Sequence, residues 1–235
     1  MLRHCYAHPN NVYSAEKTSV NFFQKDLANI TKDPIEQNIL LNGLFQSSPD
    51  PTTNFPETSL GKALRIVAKM ISQRQALGMK RQIFFVSDTG YDHHANQADG
   101  LPVKQYGLSE ALTAFFNETE VMGLQDSVCT FTASDFGRTL VPNSTGTDHG
   151  WGSHHLVIGG GVNGGRIFGD IPEPVLGHDY DAGRGTMIPE LAVDQYAFSL
   201  ARWFGLTYSE AHAVLPNASS HNPRALYGMF MDGWL

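Results

Sequence analysis

What most constrains this chain is a spacing. The apolar run Ile83 to Val86, within RQIFFVS, is followed by a helical stripe of Leu108, Leu112, Phe115, Thr119 and Met122 that stops at Gly123, and then by an alternating run from Val128 to Ala133. A short continuous apolar run fits a strand buried on both faces, and apolar residues three and four apart fit a helix that buries one side. Strand, helix and strand at this distance predict a βαβ unit, whose crossover is right-handed almost without exception. The expected fold class is therefore α/β, built on a parallel pair of strands.

The flanking sequence is punctuated by caps and breakers. Asp33-Pro34-Ile35-Glu36 reads as an N-cap, a first-turn proline and a third-position glutamate opening a helix to Phe45. A proline-rich loop covers 46–57, and Ser59 is predicted to cap a helix with Leu60, Leu64, Val67 and Ile71 on one face, stopping near Gly78. HLVIGGGVNGGRIFG suggests two short strands joined by a glycine-rich turn. Val193, Tyr196, Ala197, Leu200 and Phe204 mark a helix ended by Gly205, and Ser209 is predicted to cap a shorter one to Leu215. Residues 1–58 are thus expected to form a helical and irregular segment, and 59–235 a single α/β domain.

With 235 residues, 41% of them hydrophobic, the chain can bury a full core. A net charge of −7 without clustered Lys and Arg argues against a nucleic-acid partner. It says little about an anionic small molecule, because a bound divalent ion reverses the local sign. Two cysteines, Cys5 and Cys129, make no disulfide framework, and Cys129 alternates with threonines as a small buried residue would. The opening MLRHCYAHPNNVYS has no apolar core, and no stretch is long enough for a membrane span, so the chain taken alone reads as cytoplasmic.

The chemistry is concentrated where strands end, which is where open α/β sheets bind ligands. Asp88, Asp92, His93 and His94 follow the first run. Asp135 follows the second, and Asp148, His149, His154 and His155 crowd into eight residues beyond it. Carboxylate oxygen and imidazole nitrogen suit zinc, manganese or a mixed pair of divalent ions. Asp92 and His94 share a face if extended, which favours His94 over His93. Adjacent Asp148 and His149 can both face an ion only on a turn, such as Gly146 and Gly150 would permit. His154 and His155 open a strand on opposite faces, so at most one is a ligand, the other an outer hydrogen-bond partner or a packed residue. Asp88 is equally a turn-forming carboxylate, and Asp135 is either a ligand or the partner of Arg138. Arg138 can itself hold a substrate oxyanion. Gly159, Gly161 and Gly164 spell GxGxxG but open no helix, so the dinucleotide reading is refused. No Ser, Thr or Cys has the setting of an activated nucleophile.

GYDHHANQ, SDFGRT, GTDHGWGSHHLVIGGGVNGGRIFG and VDQYAFSLARWFG, spread between Ser59 and Leu215, together resemble the bacterial domain-of-unknown-function 1501 family. Its members are usually exported by twin-arginine signals and are grouped with the alkaline phosphatase and sulfatase superfamily. The resemblance implies a three-layer α/β/α sandwich with a mostly parallel sheet. Its strand-end loops would hold one or two divalent ions (zinc, manganese, calcium or magnesium) that activate a nucleophile and clamp a phosphate or sulfate ester. By position, Asp92 with His94 resembles one part of that ligand set and Asp148 with His149 another. A competing alignment gives the second role to Asp135, with Phe136 in place of a histidine and His149 as a lone later ligand. The resemblance further implies a periplasmic location, and an N-terminally incomplete domain whose nucleophile-bearing region is missing. Two function classes follow: a metal-dependent hydrolase-like domain acting on small anionic esters, or a noncatalytic exported protein that keeps the fold for binding or assembly.

Overall fold

The computed structural model describes residues 42–220 together with 36, 38, 39, 226 and 228–231. Cys5 and the Asp33-Pro34-Ile35 cap lie outside the described residues. The chain forms two compact units, residues 1–50 with 69–78 and residues 51–68 with 79–235. In the first, residues 42–47 are helical, two residues beyond the predicted end at Phe45, and Lys69 Nζ meets Asp50 Oδ1 at 3.0 Å.

The helices follow their apolar periodicity. Helix α1 (Ser59–Ser72) buries Leu60, Leu64, Val67 and Ile71, the stripe expected of it. Its cap falls one residue earlier than predicted, since Thr58 Oγ1 accepts the Gly61 N–H at 3.0 Å. Helix α2 (Gln97–Val121) starts well before the predicted stripe and buries Ala111, Leu112, Ala114 and Phe115. It also buries Glu118, whose carboxylate takes the N–H groups of Thr53 at 2.8 Å and Thr52 at 3.4 Å, and so ties the proline-rich loop down.

The sheet departs from expectation. β1 (Cys129–Phe131) pairs with β4 (Val157–Gly159), and β2 (Gly137–Asn143) pairs with β3 (Gly146–Gly150), both antiparallel and each pair a separate sheet. Among the described residues there is no parallel pair, so the three-layer α/β/α sandwich is not the architecture of this chain. The βαβ reading required Ile83 to Val86 to be a buried strand beside Val128 to Ala133. Instead that segment belongs to no strand, with Ile83 78% and Phe85 94% exposed, while β1 takes its partner from further along the chain. Apolar periodicity marks a segment as extended but carries no information about its partner, which is a non-local choice. Phe85→Ser is accordingly expected to change stability by no more than about 0.5 kcal/mol. A urea melt in which it loses several kcal/mol would place Phe85 in a buried interface instead.

Helix α3 (Val193–Trp203) lies over the β1–β4 sheet. Leu200 forms a buried cluster with Leu226, Met229 and Phe230, against which Cys129, Val157, Tyr196 and Trp203 pack. Burial there pushes the Cys129 thiol up to about 12, leaving it a neutral apolar group, as its alternation with threonines suggests. Gly160 is needed beneath it, since a Cβ at 160 would press on the Cys129 side chain and the Trp203 ring. The other face of α3 places Phe198 against Ala211 of α4 (Tyr208–Val214) and Ala218 of the 3₁₀ turn Pro216–Ser220. The cap of α4 is Thr207, not Ser209. Thr207 Oγ1 accepts the Glu210 N–H at 3.3 Å while Glu210 accepts the Thr207 N–H at 2.7 Å, a reciprocal pair that the T-x-x-E spacing encodes. No helix among the described residues is long and apolar enough to cross a membrane.

Candidate metal centre

The site is made where a loop meets a hairpin. β2 and β3 are joined by the two-residue turn Ser144-Thr145, with Ser144 at φ 61°, and β3 carries Asp148 and His149 on the strand rather than on the turn a shared ligand role would need. The loop 92–96 is fastened to this hairpin through its backbone. Thr147 N–H donates to the His93 carbonyl at 3.1 Å, Asn96 N–H to Thr145 Oγ1 at 2.9 Å, and Gln97 N–H to the Thr145 carbonyl at 3.0 Å. Gly146 makes the approach possible, because a Cβ at that position would overlap the His93 carbonyl and the His94 backbone.

Arg138 completes the fastening. Its Nε donates to Thr147 Oγ1 at 2.9 Å, one Nη to Asp92 Oδ1, and the other to the carbonyls of His93 (2.6 Å) and Thr147. All three nitrogens of the guanidinium are therefore engaged in holding β3 and the loop together. This guanidinium is a brace; its ion-pair partner is Asp92, 46 residues away in sequence, and not the neighbouring Asp135.

The result is a triangle of ligand atoms. His94 Nε2 lies 3.0 Å from Asp92 Oδ1, His149 Nε2 lies 3.1 Å from the same oxygen, and the two imidazole nitrogens are 3.2 Å apart. Asp92, His94 and His149 form the one group of three or more potential ligands that converges in this way among the described residues. Burial opposes ionisation of Asp92, but hydrogen bonds from Arg138 and His149 and the charges of His94 and His149 outweigh it. They hold the carboxyl below the ordinary carboxylate range, so it is a ready anionic ligand at neutral pH.

These distances fit a small divalent ion. With ligands about 2.0–2.1 Å from the metal, neighbouring ligand atoms stand about 2.9 Å apart in an octahedron and about 3.4 Å apart in a tetrahedron. The three edges, 3.0, 3.1 and 3.2 Å, fall between these values. Without a cation, two imidazole nitrogens this close compete for one carboxylate oxygen. The ring of His149 is kept in place by Phe136, stacked on it with centroids 3.7 Å apart and planes at 14°.

Asp148 has a different place from the one expected of it. Its Oδ1 accepts from Asn143 Nδ2 at 2.6 Å and lies 4.0 Å from Nδ1 of His94, the ring nitrogen that the triangle does not use, while Oδ2 is 3.1 Å from Arg184. At 4.0 Å the Oδ1 approach is a charge contact with the His94 ring, too long for a hydrogen bond to it. The remaining candidates are elsewhere. Asp135 is exposed in the bend before β2. Asp88 takes the Tyr91 hydroxyl at 2.8 Å and Lys104 Nζ at 3.1 Å. The His93 ring turns back to the Tyr91 carbonyl, 3.2 Å from Nδ1. His154 is exposed and distinct from the triangle, and His155 stacks on Tyr196 with centroids 5.8 Å apart. Burial, and then the charge of His154, lower the His155 pKa and favour its neutral, packed form. Two residues that the sequence did not single out for the site are Thr147 and Arg184. Thr147 sits within the quoted GTDHG motif, and Arg184 lies between two glycines of a distant loop.

One carboxylate and two imidazoles on neighbouring backbone segments define a three-ligand set of the kind that leaves coordination positions for water or substrate. The chain belongs to the family described as "Protein of unknown function (DUF1501)", whose model matches residues 44–214. No curated protein and no solved structure matches it.

Proposed function

We propose that the protein is a metal-dependent hydrolase-like protein, with Asp92, His94 and His149 holding one divalent ion and small phosphate or sulfate esters as its substrates. The observation that carries the metal reading is the 3.0–3.2 Å triangle of one carboxylate oxygen and two imidazole nitrogens. Two imidazoles favour zinc or another first-row transition ion over the calcium and magnesium that all-oxygen sites prefer. A bound ion of this kind lowers the pKa of a coordinated water and polarises an ester oxygen. The chain's own residues do the positioning. Arg138 fixes Asp92 and the loop carrying His94, Phe136 fixes the His149 ring, and Asp148 stands behind His94. The ester class rests on the resemblance of the motifs to the phosphatase and sulfatase superfamily. The family it belongs to has no assigned activity.

Protein purified without chelator is expected to hold about one zinc or similar ion per chain. Adding that ion to stripped protein should raise Tm, because a ligand bound at 100 times its Kd stabilises the folded form by about 2.7 kcal/mol. Elemental analysis and a thermal melt check this; no stoichiometric ion and no shift with zinc, manganese, iron or cobalt would end the metal reading. Aryl phosphates and sulfates then test the reaction, with Asp92→Ala as the control. The exposed Ile83 and Phe85 favour a second reading, a noncatalytic binding or assembly protein, which predicts ion uptake without turnover of either ester.

A further inference from the structure

The loop 177–187 is built to present one side chain. Asp181 is its hub, accepting the N–H groups of Gly177 at 2.9 Å and of Gly183 and Gly185 at 2.8 Å. Those bonds hold its carboxyl below the ordinary range, against a burial effect that raises it. The loop then docks on β2 where the pairing with β3 slips, between Arg138 and Pro142. There the Leu140 N–H donates to the Gly185 carbonyl at 3.1 Å and the Val141 N–H to the Arg184 carbonyl at 3.2 Å. Amides that the irregular pairing would otherwise leave without a strand partner thereby fix the backbone of residues 184 and 185 beside the site.

Arg184 itself is the anomaly. Its φ of 58° is left-handed, as are those of its neighbours Gly183 and Gly185, yet it carries a long side chain where glycine would be unstrained. That side chain is 64% exposed, and it reaches Asp148 Oδ2 at 3.1 Å, on the carboxylate that stands behind His94. An exposed ion pair of this sort is weak, so its guanidinium can be shared with an incoming anion. A guanidinium presents five N–H donors in a fork that matches a tetrahedral oxyanion.

We propose that Arg184 is the specificity-determining residue of the site, recognising the phosphate or sulfate group of an ester whose reacting oxygen faces the Asp92–His94–His149 triangle. Arg138, with all its nitrogens engaged, does not compete for this role. The inference rests on the metal-site reading above.

The test uses the full chain loaded with zinc and desalted, titrated calorimetrically with inorganic phosphate and, separately, inorganic sulfate. R184G removes the side chain and relieves the left-handed backbone, so its Tm should equal or exceed that of wild type. Its zinc affinity should stay within about two-fold, because Arg184 is not among the three ligands, whereas its affinity for the oxyanion should fall at least ten-fold, about 1.4 kcal/mol. R184K, keeping charge without the fork, should fall between. R184G that binds phosphate and sulfate as tightly as wild type overturns the proposal, as does wild-type protein that takes up zinc but neither anion. Wild-type protein that takes up no zinc is a separate result, seen before any anion is added; it overturns the metal reading and the role of Arg184 with it.

Discussion

His149→Ala is expected to lower divalent-ion affinity by at least about 100-fold, since outer partners of a ligand alone are worth about 10–100-fold. The reason is geometric. His149 supplies one of three atoms that stand 3.0–3.2 Å from one another, and Asp92 and His94 alone are a two-point site. Asp92→Ala should have a comparable effect on affinity and a larger one on the fold, because it also leaves Arg138 without its carboxylate. Asp148→Asn should weaken binding by no more than about 10-fold, since its carboxylate stands 4.0 Å from the His94 ring and makes no hydrogen bond to it. Zinc titrations of the three variants against a chromophoric chelator give the ranking. An Asp148 variant as defective as His149→Ala would return Asp148 to the ligand set.

Gly146→Ala is expected to damage stability and ion uptake together. Its Cβ would overlap the His93 carbonyl and the His94 backbone, in a place where β3 is also bonded to β2 and cannot retreat freely. Overpacking of this kind costs about 1–3 kcal/mol. It also parts the Thr147 N–H from the His93 carbonyl and separates His94 from His149, so ion uptake should fall with stability. Chemical denaturation and elemental analysis of the variant check both. Wild-type values in each would mean that the loop 92–96 is not seated on the hairpin as described.

What the sequence made legible was local. The stripe Leu60, Leu64, Val67 and Ile71 is buried as its spacing predicts, because a 3.6-residue period is a property of the segment alone. The i, i+2 relation of Asp92 and His94, and the rule that neighbours on a strand diverge, also carry physical content. The latter matches a β3 in which His149 enters the triangle and Asp148 does not. What was illegible was pairing. No strand was predicted over Gly137–Asn143; Pro142 has no N–H to give, and the irregular stretch before it is completed by the loop at 184–185. The parallel sheet failed for the same reason, since Ile83 to Val86 and Cys129 to Phe131 each read as a strand, one continuous and one alternating, and only the second finds a partner. Nor could residue types alone say that Arg138 would pair with Asp92 and not Asp135.

The run from Ile83 to Val86 leads directly into the loop that supplies Asp92 and His94, and among the described residues none of its four amides donates to a backbone carbonyl. Two of the three candidate ligands are thus preceded, beyond the contacts of Asp88 with Tyr91 and Lys104, by a segment outside any sheet, and are followed by α2. Ion capture at the proposed centre is expected to slow deuterium uptake at 83–86, a segment that supplies none of its ligands.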